Sequence, residues 1–164
     1  MNIRRFSLLL GVLVVGFGVV AAGNFYWNNL RKDITTVINT TQMPLTIPPG
    51  FSLSIFAKNL DKPRVLAWDP YGTLVVSIPS EGKVVALPDA NKDGVADSSI
   101  TIAEKLNAPH GLAFRSVGDV HFIYIAETHQ LSRYSYDTVA KKASNPVKLA
   151  DLPRGGNHTT RTIL

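Results

Sequence analysis

The sequence predicts an all-β protein of the β-propeller type, on three observations. A turn leading into a strand recurs at Leu60-Asp-Lys-Pro-Arg64-Val-Leu-Ala-Trp68, Leu106-Asn-Ala-Pro-His110-Gly-Leu-Ala-Phe114 and Leu152-Pro-Arg-Gly-Gly-Asn-His158-Thr-Thr-Arg161. The leucines stand 46 residues apart both times, and the basic residues closing the turns stand 46 and then 48 apart, Gly155 and Gly156 making up the difference. Between these marks lie short apolar runs on a two-residue beat, four to a period, broken by Pro, Gly and Asp. A fixed period of this length with four short antiparallel strands is the signature of a propeller blade.

The elements follow in order. Arg4 and Arg5 precede an uncharged, mostly apolar run from Phe6 to Leu30, the pattern of a targeting segment. Residues 1–30 therefore predict a hydrophobic helix acting as a membrane anchor or a signal peptide. Phe25, Tyr26 and Trp27 suit a membrane interface, whereas Val20-Ala21-Ala22 suits a peptidase. With the positive charge ahead of the segment, the rest of the chain is expected on the periplasmic or extracellular side. Residues 31–50, punctuated by Pro44, Pro48, Pro49 and Gly50, read as a polar, Pro-rich tether, and residues 51–164 as the domain.

Within the domain the expected strands are Phe51–Ala57, Arg64–Asp69, Thr73–Ile78, Lys83–Leu87 and Ser99–Ala103. Gly111–Arg115, His121–Ala126, Leu131–Tyr136 and Val147–Ala150 follow. Asp69-Pro-Tyr-Gly72 is a tight turn. This makes two blades, one leading strand expected to complete a last blade and close a ring, and the opening of a third blade. The whole reads as the N-terminal part of a longer propeller.

Composition narrows the partners. The 164 residues carry a net charge of +5, but Lys and Arg are scattered singly, without the basic stripe and aromatic platform of a nucleic-acid binder. There is no cysteine, so no disulfide or thiolate metal site supports the fold.

Two constellations carry chemistry. Turns entering the innermost strands of a propeller open on the channel mouth, so Arg64, His110 and His158 are expected to converge there and suit an anionic or polyol ligand. Gly155-Gly156 lets a ligand approach the backbone beside His158, and an imidazole is the side chain best placed to take a proton near neutral pH. Alternation puts His158 and Thr160 on one strand face and Arg161 with Thr159 on the other. His121 and His129 have no partner at ligand spacing. The second constellation is Asp89, Asn91, Asp93 and Asp97 around Gly94, with oxygen ligands at calcium-loop spacing but Ile100 where a bidentate Glu would stand. The same residues also suit a solvent loop held by Asx turns.

Pro48-Pro-Gly-Phe51, Asn59-Leu-Asp-Lys-Pro-Arg-Val-Leu-Ala-Trp68, Gly82-Lys-Val-Val-Ala-Leu-Pro-Asp89, Pro109-His-Gly-Leu-Ala-Phe114 and Gly155-Gly-Asn-His-Thr-Thr-Arg161 together resemble the soluble quinoprotein glucose and sorbosone dehydrogenases. The resemblance covers residues 48–164. It implies a six-bladed propeller that binds pyrroloquinoline quinone (PQQ) at the channel mouth. The implied reaction oxidises the anomeric carbon of an aldose or sugar aldehyde, with an electron acceptor as second partner. His158 falls on the family's general base, while the Lys and Arg that grip the quinone carboxylates and the oxygens that hold its calcium come in that family largely from later blades. Here His110, Arg64 and Arg161 are the candidate cofactor-binding residues, Arg161 with the alternative of pairing with an acid between blades. The Asp89 loop would hold a separate, structural calcium. Two other readings stay open: a lactonase-like propeller hydrolase, which would want acidic metal ligands at the mouth, and a non-catalytic, membrane-tethered binding propeller.

Overall fold

A computed structural model describes residues 38–154 and 160–163. Residues 1–30, read as an anchor or signal, lie outside them, and among the described residues no helix is long and apolar enough to cross a membrane. The chain divides into two compact units, Met1–Ile55 and Phe56–Leu164. In the first, strands β1 (Ile38–Asn39) and β2 (Ser52–Leu53) pair in parallel, with Ile38 opposite Ser52. The Thr40 amide closes the pair by donating to the Leu53 carbonyl at 3.0 Å.

Among its described residues the second unit holds strands, the loops between them and one 3₁₀ turn, Pro79–Glu81, with no α-helix. Its first sheet is the antiparallel meander β3 (Leu66–Trp68), β4 (Leu74–Ile78), β5 (Lys83–Leu87) and β6 (Ile100–Ala103). Its second is β7 (Leu112–Val117), β8 (Val120–Ala126), β9 (Gln130–Asp137) and β10 (Lys142–Asp151). Two four-stranded antiparallel sheets in succession are the partial propeller that the repeat predicts.

Alternation decides what each sheet buries. Val75, Val84, Ala86 and Ile102 from the first sheet meet Leu112, Ile123, Ile125 and Tyr136 from the second in one core. On the other face of the first sheet Val76, Ile78, Val85 and Leu87 form a second core, packed against Phe56, Ala57 and Leu60. With both faces covered, β4 and β5 are buried almost throughout, which is why they read as runs of Val, Ala, Leu and Ile. Each fully buried Val, Leu or Ile side chain contributes about 1.5–3 kcal/mol by leaving water.

A buried polar lock ties the two sheets together. Oδ1 of Asp69 accepts the amides of Tyr71 (2.9 Å) and Thr73 (2.8 Å), holding the β3–β4 turn. Oδ2 accepts the Tyr136 hydroxyl at 3.0 Å from β9 and the Lys141 ammonium at 2.6 Å from the β9–β10 turn. Burial alone would raise the Asp69 pKa, but Lys141 and the two amides outweigh it and hold the carboxyl below its usual range. Burial and the adjacent Asp69 charge push the Tyr136 phenol far up, so it stays a donor.

Two expected strands differ. The leading strand Phe51–Ala57 is reduced to Ser52–Leu53; Phe56 instead accepts the Ala96 amide on its carbonyl, and its ring joins the second core. Strand β10 starts at Lys142, earlier than the expected Val147, and takes Asn145 (φ 51°) and Pro146 through a register irregularity. A bulge on an edge strand tolerates a residue without an amide proton.

Candidate functional site

The repeat reappears as a hydrogen-bond pattern that places the site. The Arg64 amide donates to the Ser77 carbonyl at 3.0 Å and the His110 amide to the Ala126 carbonyl at 2.9 Å, so the two residues enter their sheets in the same way. The turns before them match as well: Asn59 and Lys62 are left-handed in the first repeat, Lys105 and Ala108 in the second. Lys62 and Ala108 each precede a proline, which disfavours the right-handed helical region. Such positive φ values cost about 1–3 kcal/mol each outside glycine, and repeated strain of this kind gathers at functional clefts.

Between the two turns lies a cleft of about 270 Å³, lined by Lys62, Arg64, Pro79, Ser80, Ala108, His110, Thr128 and Thr160. Three side chains are basic or can become so, three carry hydroxyls, and none of the described lining residues is acidic. Hydrogen bonds build the walls. The Ser80 hydroxyl holds the Asp61 carbonyl at 2.7 Å, fixing the Lys62 turn. Glu127, 4% exposed, accepts the Asn107 amide at 2.5 Å and the Gln130 side-chain amide at 2.7 Å. The Thr128 amide in turn donates to the Asn107 carbonyl at 3.1 Å, clamping the β8–β9 turn to the turn that carries His110.

The third repeat crosses at Gly111. A Cβ there would stand 2.6 Å from the Arg161 carbonyl oxygen, so only glycine admits the crossing chain. That carbonyl accepts a hydrogen bond from Nδ1 of His110 at 3.0 Å. The Arg161 side chain turns elsewhere: Nε donates to the Thr128 carbonyl at 3.3 Å and a terminal nitrogen to the Pro153 carbonyl at 2.5 Å.

Of the residues that the sequence singles out, Arg64 and His110 are brought together on the cleft. Arg161 is not among the lining residues; its backbone carbonyl meets Nδ1 of His110. His158 lies outside the described residues. Thr160, placed by alternation on the face opposite Arg161, lines the cleft. Lys62, Ser80, Thr128 and the buttress Glu127 were missed. Lys62 had a signal, standing two residues before Arg64 in the same turn; Glu127 had none, since the turn it buttresses, at Asn107, lies 20 residues away.

Asp89, Asn91, Asp93 and Asp97 share one loop between β5 and β6. Their oxygens accept amides within it: Asp89 from Asp93 and Gly94, Asn91 from Asp93, Asp93 from Val95, and Asp97 from Ala90. Among the described residues no three His, Cys, Asp or Glu side chains are grouped as a metal site would need. His121 shares a hydrogen bond with Ser116 at 2.7 Å, and Nδ1 of His129 is buried without a partner among the described residues.

Solved structures share this fold. The PQQ domain of pyranose dehydrogenase from Coprinopsis cinerea, in its holo form, matches 76% of the chain with a TM-score of 0.63 and 23% identity. A protein of carbohydrate-active enzyme family AA12 from Trichoderma reesei, in an iodide structure, matches 68% with a TM-score of 0.57 and 24% identity. The chain spans 31% and 28% of the length of these two structures. No curated protein matches it. The resemblance drawn from the motifs between Pro48 and Arg161 is upheld, and with residues 45–164 matched to that family's pattern the chain belongs to the TrAA12-like family.

Proposed function

We propose that this chain serves a PQQ-dependent oxidoreductase acting on a sugar, with the cleft between the Lys62–Arg64 and Ala108–His110 turns as part of its active site. The observation that carries the reading is the lining itself. Two permanent cations, an imidazole and three hydroxyls face one cleft free of described carboxylates, which suits a flat polycarboxylate beside a polyol. The hydrolase reading would want acidic ligands in the same place.

In this reading Arg64 holds a quinone carboxylate with its planar fork, and Lys62 adds a second cation at the rim. Ser80, Thr128 and Thr160 offer hydroxyls to the remaining polar edges. When bound, PQQ supplies the acceptor for the hydride that leaves the sugar carbon. The chain's part is to fix the substrate and take the hydroxyl proton that must depart for a carbonyl to form. His158 is the proposed base, at the anomeric carbon of an aldose or sugar aldehyde. A six-bladed ring in the whole protein, an electron acceptor for the reduced cofactor, and attachment to or export across a membrane by residues 1–30 complete the proposal.

The test is turnover of an aldose with PQQ, calcium and an artificial acceptor. His158→Gln should lose about 10²–10⁴-fold in kcat, the contribution of a positioned base, while still binding quinone. Near-wild-type kcat in that variant, or a wild type that oxidises no aldose, removes the reading.

A further inference from the structure

Resting on the reading of the cleft as a sugar-oxidising site, we infer that His110 receives a hydroxyl of the sugar on its Nε2 atom and does not grip a carboxylate of the cofactor. The ring's orientation decides this. Nδ1 stands 3.0 Å from the Arg161 carbonyl oxygen, and a carbonyl can only accept, so Nδ1 carries the hydrogen. In the neutral imidazole the other nitrogen is then a bare acceptor. His110 is one of the residues lining the cleft, and we set this lone pair toward the ligand there.

The lock on this orientation is built from both sides. Pro109 is among the fully buried side chains, and the His110 amide is fixed to the Ala126 carbonyl at 2.9 Å. Gly111 admits the Arg161 carbonyl to its place, since a Cβ there would lie 2.6 Å from it and 3.1 Å from Cγ1 of Ile163. The Arg161 guanidinium holds that crossing chain to Thr128 and Pro153. A carboxylate oxygen set against a lone pair gains nothing and repels it, whereas a sugar hydroxyl brings the missing hydrogen. The cations that carboxylates need stand on the neighbouring turn, at Lys62 and Arg64. His110 and Arg64 thus occupy the same position in successive repeats with opposite tasks, one accepting and one donating.

Two measurements test this. Nitrogen-15 spectra of the chain should show His110 protonated at Nδ1 and bare at Nε2, with Nε2 shifting when D-glucose is added to the PQQ-loaded protein. The second is a pair of variants. His110→Asn keeps a donor near the Arg161 carbonyl but has no acceptor at the Nε2 position; His110→Gln restores an oxygen there. We expect His110→Asn to raise KM for D-glucose about tenfold, the worth of one net hydrogen bond of up to about 1.5 kcal/mol. His110→Gln should recover part of this, and both should bind PQQ as wild type does. Among monodeoxy glucoses, one should be handled equally by wild type and His110→Asn, marking the hydroxyl that His110 reads. A hydrogen on Nε2 with Nδ1 bare, an unchanged KM in His110→Asn, or a loss of quinone affinity in either variant overturns the inference alone. A wild type that neither binds PQQ nor oxidises sugar overturns it together with the reading on which it rests.

Discussion

Replacing Asp69 with Asn should destabilise the two-sheet unit by about 3 kcal/mol. Asparagine keeps the Asx turn, because its carbonyl oxygen can still accept the Tyr71 and Thr73 amides. What it loses is the second oxygen, which holds the Lys141 ammonium at 2.6 Å and the Tyr136 hydroxyl at 3.0 Å. Lys141 is then left with a charge whose side chain is only 12% exposed. Breaking a buried pair by removing one partner costs about 3–5 kcal/mol, and a lysine that can reach partly toward water belongs at the lower end. Urea unfolding of the chain followed by circular dichroism measures the difference. Asp69→Asn combined with Lys141→Met should recover much of the loss, since the orphaned charge is gone. A loss under about 1 kcal/mol in Asp69→Asn, or simple addition in the double variant, would refute the account of the lock.

Two other outcomes can be measured. Because the folded state holds the Asp69 carboxyl below its usual range, the unfolded chain binds the proton more readily; this contribution is therefore fully present above about pH 4 and lost as pH falls through the folded value. Wild type should lose more stability than Asp69→Asn between neutral and strongly acid pH, and parallel curves would contradict this. For the Asp89–Asp97 loop, whose side-chain oxygens accept amides, a structural calcium remains our proposal: calorimetric titration should show a site that Asp93→Ala removes and Asp61→Ala leaves intact. Identical titrations of wild type and Asp93→Ala would leave only the amide-capped turn that the hydrogen bonds already describe.

How much of this was legible in the sequence depends on how far apart the interacting residues lie. The repeat was legible because each period reuses the same local solution. Leu106 donates its amide to the Gly82 carbonyl at 2.9 Å and Leu152 to the His129 carbonyl at 2.8 Å, so the leucine spacing reports a hydrogen-bond register directly. Arg64 and His110 could be placed together on that register alone. The Asp69 lock could not, since its partners lie 67 and 72 residues away and Asp69 by itself reads as the first residue of a turn. Asn145-Pro146 read as the end of a loop because pattern cannot distinguish a bulge from a break. The Asp89 loop shows a different limit: calcium ligands and Asx caps use the same residues at the same spacing, so sequence leaves both open. What His110 offers the cleft was hidden for a third reason, since its tautomer is set by a backbone carbonyl 51 residues downstream.

The central claim is that the cleft flanked by Arg64 and His110 holds the quinone, and equilibrium titration of the protein with PQQ tests it most directly. Arg64 is placed to make a charge-assisted contact of about 1.5–3 kcal/mol with a carboxylate, so Arg64→Ala should weaken binding about 10- to 150-fold. Arg133→Ala, whose guanidinium lies 4.6 Å from the Phe122 ring centre and is not among the cleft-lining groups, should not. Equal affinity in wild type and Arg64→Ala, or no binding of PQQ by the wild type, would contradict the account.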